Sequence, residues 1–269
     1  MPSKPSPSRR LEPFALAQSP LSIFAIPGVR EIRKNDNLAK VIAEAVRRAK
    51  VELQDSDILV IAQKIVSKAE GRVVRLSKIK PSREASALAR TLNKDPRFIE
   101  VILCESRRIL RSERVLIVET HHGFVCANAG VDHSNVPGND SVTLLPKDPD
   151  GSARCMAADL RKFTRKQVAV IISDTFGRPW RLGLINVAIG ASGLPPLSDL
   201  RGQRDRSGKL LHATVVAVAD ELAAAAGLLM QKSSGTPVVV VRGYRYLRAH
   251  SQAANAASII RPAQEDLFR

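Results

Sequence analysis

The sequence predicts an α+β fold in which mixed β-sheets are flanked by helices. Three observations lead there. First, short runs rich in β-branched residues, DILVIA at 57–62, VAVII at 168–172 and VVVV at 238–241, read as buried strands. Second, segments with apolar residues at helical spacing alternate with them. Third, two apolar runs, 115–119 and 124–127, are joined through His121, His122 and Gly123, which predicts a hairpin and so argues against a purely doubly wound sheet.

Residues 1–20 are rich in Pro and Ser and show no periodicity, so a disordered, mobile tail is expected. Order begins with the apolar run Leu21–Ile26, stopped by Pro27 and Gly28. Leu38, Val41, Ile42, Ala45, Val46 and Ala49 recur as one helical face, with Asp36 or Asn37 as its cap. The 57–62 strand runs into the polar, basic QKIVSKAEGR. A helix is expected over Ser82–Leu92, and Pro96 opens another through about Ile109. After the hairpin come a helix at Arg154–Lys166, the 168–172 strand, strands at Thr214–Ala219 and Val238–Val241, and an Ala-rich helix opened by Asp220. Residues 21–269 read as one domain, and the sequence leaves open whether a subdomain boundary falls between 75 and 130.

Charge bounds the function. Lys and Arg number 42 against 26 Asp and Glu, a formal charge of +16, which by itself invites a nucleic-acid partner. The basic residues are scattered, however, and most have acidic neighbours. Aromatics are 4% of the chain, too few for a base-stacking platform. A basic solvated surface or an anionic small-molecule ligand fits better than nucleic acid. Cys104, Cys126 and Cys155 are odd in number and far apart, as in a reducing cytoplasm, where small core residues are expected. No apolar run is long enough to span a membrane, and the N-terminus lacks the apolar core of a secretion signal.

Four polar segments follow apolar strands: Gln63–Arg72, Ala127–Asn135, Asp174–Gly183 and Asp199–Asp205. Ligand sites of α/β proteins lie at strand carboxyl ends. Asp132, Asp174 and the Thr175 hydroxyl are hard oxygen donors suited to Mg²⁺ or Mn²⁺, or else turn caps. Lys64 and Lys68, four residues apart, share a helical face and could clamp a polyphosphate. Arg178 and Arg181 flank Pro179 and Trp180 as a fork for phosphate or carboxylate, with Trp180 either there or in the core. His133 reads as a loop histidine and Cys126 as a core residue. No P-loop, dinucleotide-binding, nucleophile-elbow or zincin motif is present.

In order, IPGV at 26–29, QKIVSKAEGR at 63–72, ANAGVDHSNVP at 127–137, SDTFGRPWRLG at 173–183, VVVVRG at 238–243 and IIRPAQEDLFR at 259–269 resemble the gamma-glutamyl ligases of coenzyme F420. The resemblance runs from about residue 21 to the end. It implies the fold of those ligases in an intertwined homodimer. It also implies a GTP-dependent amide ligation that joins L-glutamate to the carboxylate of coenzyme F420-0, or of a dehydro form, through an acyl phosphate, with GDP and phosphate released and further gamma-linked glutamates to follow. Two divalent ions, Mg²⁺ or Mn²⁺, and K⁺ are implied. Asp132, Asp174, Thr175 and Gln231 match metal-binding positions. Ile26, Pro27, Gly28, Val29, Gln63, Lys64, Lys68 and Asn135 match nucleotide-binding positions. Asp132, Asp174, Arg178 and Arg181 are then the expected catalytic set, the two arginines by inference from their chemistry alone. An amide ligase acting on another acceptor, and a basic nucleic-acid-binding protein, are the competing readings.

Overall fold

The computed structural model describes residues 20–133, 140–231, 235–249 and 255–266. The expected tail therefore lies outside the described residues except for Pro20. Strand β1 (Ser22–Ala25) comes first, and Pro27 and Gly28 turn the chain away from it. Helix α1 (Leu38–Arg48) is capped by Asn37, whose side chain accepts from the Lys40 amide at 2.9 Å. Asp36 is held instead by both ends of the Arg30 guanidinium. Strand β2 (Ile58–Ala62) passes directly into α2 (Gln63–Ala69), and β3 (Val73–Arg75) follows. Ser82 caps α3 (Arg83–Leu92), and Asp95 with Pro96 opens α4 (Pro96–Cys104).

Three short strands come next: β4 (Ser106–Arg111), β5 (Ile117–Thr120) and β6 (Val125–Ala127). After β7 (Ser141–Thr143), Asp148 caps α5 (Pro149–Thr164). The long strands β8 (Ala169–Arg178) and β9 (Arg181–Ser192) form a hairpin that turns at Pro179 and Trp180. The short β10 (Ser198–Asp199) and β11 (Val215–Val216) precede α6 (Val218–Met230), and β12 (Val238–Arg242) completes the central sheet.

That sheet has the order β1-β12-β2-β8-β9. Only β2 and β8 run parallel, and the other neighbours are antiparallel. Alternation along each strand sends side chains to opposite faces. Leu59, Ile61, Val170, Ile172, Val238 and Val240 pack under α1 and α5. Ile58, Val60, Ala169, Ile171, Val239 and Val241 pack under α6. Both faces are buried, so these strands are apolar throughout. A second core joins Leu76 and the apolar faces of α3 and α4 to Leu116, Val118, Val131, Val142 and Leu144. It lies in the crossover between β2 and β8.

Several elements depart from expectation. Helix α4 stops at Cys104, because the next residues pair with β5 and present Arg107 and Arg108 to the buried Glu119. The strand expected at 214–219 is cut to Val215–Val216, since Val218 and Ala219 already belong to α6 and pack on the sheet. Asp220 therefore does not open α6; its carboxylate accepts from the Ala188 amide at 2.8 Å. Helix α5 begins at Pro149, ahead of the expected Arg154, because Asp148 supplies the cap. Of the three cysteines, Cys126 alone is buried, and Cys104 and Cys155 face solvent.

At the amino end of β2, Asp57 is 1% exposed and receives Arg242 in a two-pronged ion pair at 2.8 and 2.7 Å. Removing one partner of a buried pair strands the other charge. Arg242→Met is expected to destabilise the fold by about 3–5 kcal/mol in urea denaturation, and Asp57→Leu added to it to recover a large part.

Candidate active site

Strand pairing gathers the candidate segments at one end of the central sheet. Ala62, the last residue of β2, pairs with Ser173 of β8. Val238, the first residue of β12, pairs with Ile61, and the Ile26 amide donates to the Val238 carbonyl at 2.9 Å. The turn after β1, the start of α2, the middle of β8 and the chain entering β12 therefore meet where the two parallel strands point. Gly28 takes a φ of +72° in that turn, a left-handed conformation that glycine adopts without steric cost, and the space where a side chain would stand is open.

Helix α2 carries three expected residues. Gln63 is buried, and its Oε1 accepts from the Ser67 hydroxyl at 2.7 Å. Lys64 donates to Asp132 Oδ2 at 2.8 Å, and Lys68 to Glu31 Oε1 at 2.5 Å. Lys68 is itself buried, whereas Glu31 is 70% exposed at its side chain, so the ammonium is drawn from the interior towards the rim. Asp132 is positioned by its backbone, which exchanges two hydrogen bonds with Thr143 at 3.1 and 2.9 Å. The second core thus delivers a carboxylate to a lysine of α2, the helix that follows β2.

Strand β8 does not end where its apolar run ends. It continues through Ser173, Asp174 and Thr175, which puts these polar residues in fixed register against β9. Asp174 lies close enough to Cys126 for its charge to act on that thiol. Thr175 donates to Asn186 Oδ1 at 3.2 Å. Gln231, at the end of α6, follows Met230, whose sulfur meets the Ser173 hydroxyl at 3.8 Å and Asn186 Nδ2 at 3.6 Å. Asn135 falls outside the described residues. Among the described residues no group of three or more His, Cys, Asp or Glu could hold a metal ion.

The remaining expected residues lie elsewhere. Arg178 and Arg181 pair across the tip of the β8–β9 hairpin, four residues and roughly 13 Å of extended strand from Asp174. Trp180 is not core; it is 86% exposed at the turn with a φ of 62°. Asp199 and Arg201 grip each other on the exposed β10–β11 arm. His133 packs its ring 4.6 Å from that of Phe98. Sequence reasoning passed over Glu31, whose only signal is its place just beyond IPGV. It also passed over Asn186, which looks like one more strand residue until its register opposite Thr175 is known.

Burial, with the Asp174 charge adding to it, pushes the Cys126 thiol up to about 12. Loss of its proton is thus disfavoured by both desolvation and repulsion. At pH 8 a disulfide reagent is expected to titrate Cys104 and Cys155 in the native protein, and Cys126 only after unfolding. Rapid reaction of all three thiols would contradict this.

Comparison with known proteins places the chain in a family. A family model described as F420-0:Gamma-glutamyl ligase matches residues 28–243. The chain is 47% identical over 251 residues to the coenzyme F420:L-glutamate ligase of Methanothermobacter thermautotrophicus, covering 93% of this chain and 99% of that one. The Methanopyrus kandleri protein of the same name is 47% identical over 252 residues, covering 93% and 98%. That of Methanocaldococcus jannaschii is 43% identical over 235 residues, covering 87% and 90%. With the match spanning most of the chain and including both strand ends that frame the site, this protein belongs to the F420-0:gamma-glutamyl ligase family.

Proposed function

We propose that the protein is a GTP-dependent ligase that forms an amide between L-glutamate and the carboxylate of coenzyme F420-0, then extends it with gamma-linked glutamates. The observation that carries the reading is that Lys64, paired with Asp132, follows the end of β2, where Ala62 pairs with Ser173, the residue before Asp174. Anion-binding and cation-binding groups meet there, as phosphoryl transfer requires. The family description and the names of the relatives suggest the acceptor and the amino acid.

A carboxylate resists attack by an amine until one of its oxygens becomes a good leaving group. Transfer of the GTP γ-phosphoryl to that oxygen gives an acyl phosphate and GDP. The glutamate nitrogen then attacks the carbonyl carbon, phosphate departs with the bonding pair, and the amine loses its proton. Lys64 and Lys68 can exchange their carboxylate partners for phosphate oxygens as the nucleotide arrives. The turn at Ile26–Val29 and the buried Gln63 fit the remainder of the nucleotide. Arg178 and Arg181, some way up the hairpin, suit the far phosphate of the acceptor or the glutamate carboxylates better than the reacting atoms.

The donors at the site are two carboxylates, a hydroxyl and an amide: Asp132, Asp174, Thr175 and Gln231. All are hard oxygen ligands and too few to close a shell, which fits Mg²⁺ or Mn²⁺ that keeps water and accepts phosphate oxygens. Asp132, Asp174, Thr175 and Gln231 would hold such an ion, which would supply positive charge to offset the negative charge that develops in transfer. Incubation with GTP, glutamate, F420-0 and Mg²⁺ or Mn²⁺ is expected to yield glutamylated deazaflavin by mass spectrometry. Asp132→Ala and Asp174→Ala are expected to lower turnover by about 100-fold or more while circular dichroism stays unchanged. Full activity of both variants would refute the metal assignment, and a product with another acceptor only would redirect the substrate.

We also infer a homodimer built on the β8–β9 hairpin. Leu182 is 98% and Leu184 62% exposed beside Trp180. Arg178 Nε is buried there without a hydrogen-bond acceptor among the described residues. A cluster of exposed large apolar side chains is the mark of a face that another chain covers. Leu182→Asp combined with Leu184→Asp is expected to shift the protein from dimer to monomer in light scattering, and an unchanged mass would refute this interface.

A further inference from the structure

Asn186 touches two of the expected metal-binding regions and belongs to neither. It sits opposite Thr175 in the β8–β9 register. Its Oδ1 accepts the Thr175 hydroxyl proton at 3.2 Å, and its Nδ2 lies 3.6 Å from the sulfur of Met230, the residue before Gln231. Because the amide nitrogen is turned to sulfur, a weak acceptor, the oxygen is the group left to face Thr175. The side chain is also tightly seated. A Cβ added at Gly227 of α6 would meet Asn186 Cγ at 2.9 Å, so the absence of a side chain at 227 makes the contact possible. Ser173, two residues before Thr175, holds the same Met230 sulfur from β8.

We propose that Asn186 is a positioning residue for the divalent-cation site: it takes the proton of the Thr175 hydroxyl and fixes the end of α6 that carries Gln231. A hydroxyl has one proton and two lone pairs. To offer a lone pair to a cation it must send the proton elsewhere, and Asn186 Oδ1 is the acceptor in place. Groups that orient ligands in this way set metal affinity without touching the metal. The seat against Gly227 and Met230 ties the β8 donors to the helix end.

This inference rests on the metal reading of Asp174 and Thr175. The test is Mn²⁺ binding to the full chain without nucleotide, read from the electron paramagnetic resonance signal of free Mn²⁺, with thermal unfolding in parallel. Asn186→Leu keeps the size and removes the acceptor, and is expected to weaken Mn²⁺ binding by about 10-fold to 100-fold. If Asn186→Leu does not fold, Asn186→Ala carries the same comparison. Asn186→Asp keeps an acceptor oxygen and is expected to restore binding to at least the parent level. Thr175→Ala combined with Asn186→Leu is expected to lose less affinity than the sum of the two single losses, because the asparagine acts in part through the threonine. Unchanged affinity in the leucine or alanine variant, failure of the aspartate to restore it, or additive losses in the double variant would each overturn the role of Asn186. If Asp174→Ala itself leaves Mn²⁺ affinity unchanged, the metal reading falls and the inference with it.

Discussion

The parallel pairing of β2 with β8 is the constraint on which the rest of the molecule depends. Parallel strands end side by side, so whatever follows them in sequence must share the same space. Here β2 is followed by a helix, while β8 runs on past that point through three polar residues still in the ladder. One strand end therefore supplies ammonium groups on a short helix, and the other supplies oxygens held in register. The antiparallel neighbours add to that end because β12 starts there and β1 finishes there. A wholly antiparallel sheet in the same chain would have sent Gln63 and Asp174 to opposite edges.

Much of this was legible because the buried strands had to be continuously apolar. Ile58–Ile61, Val170–Ile172 and Val238–Val241 face helices on both sides, so no polar residue interrupts them. Capping chemistry located α1, α3 and α4 for the same kind of local reason. What sequence hid is whatever depends on register or on distant partners. The run SDTFGRPWRLG reads as a loop because it is polar and contains Gly and Pro, yet its first residues extend β8 by pairing with β9. Lys64 and Asp132 are 68 residues apart, and no local pattern ties one to the other. Asp220 looks like a helix cap and instead anchors the Ala188 amide across the sheet.

The excess of positive charge also takes a different meaning. Arg30, Arg72, Arg97, Arg107, Arg108, Arg201 and Arg242 each grip a carboxylate, and most of these links join separate elements. Part of the basic composition is thus structural. The lysines that face the site are balanced by Asp132 and Glu31.

The crossover between β2 and β8 has a kinetic side. Ala62 and Ser173 are neighbours in the sheet, yet the chain between them builds a second core around α3, α4 and β5 before it returns. Closing a loop of that length costs chain entropy before any contact repays it. If the second core collapses first, it shortens the effective loop and brings the two strands within reach. The central sheet and the site at its end then assemble at a rate set partly by α3 and α4, whose own contacts are local. Weakening those helices would slow assembly of a site they do not line.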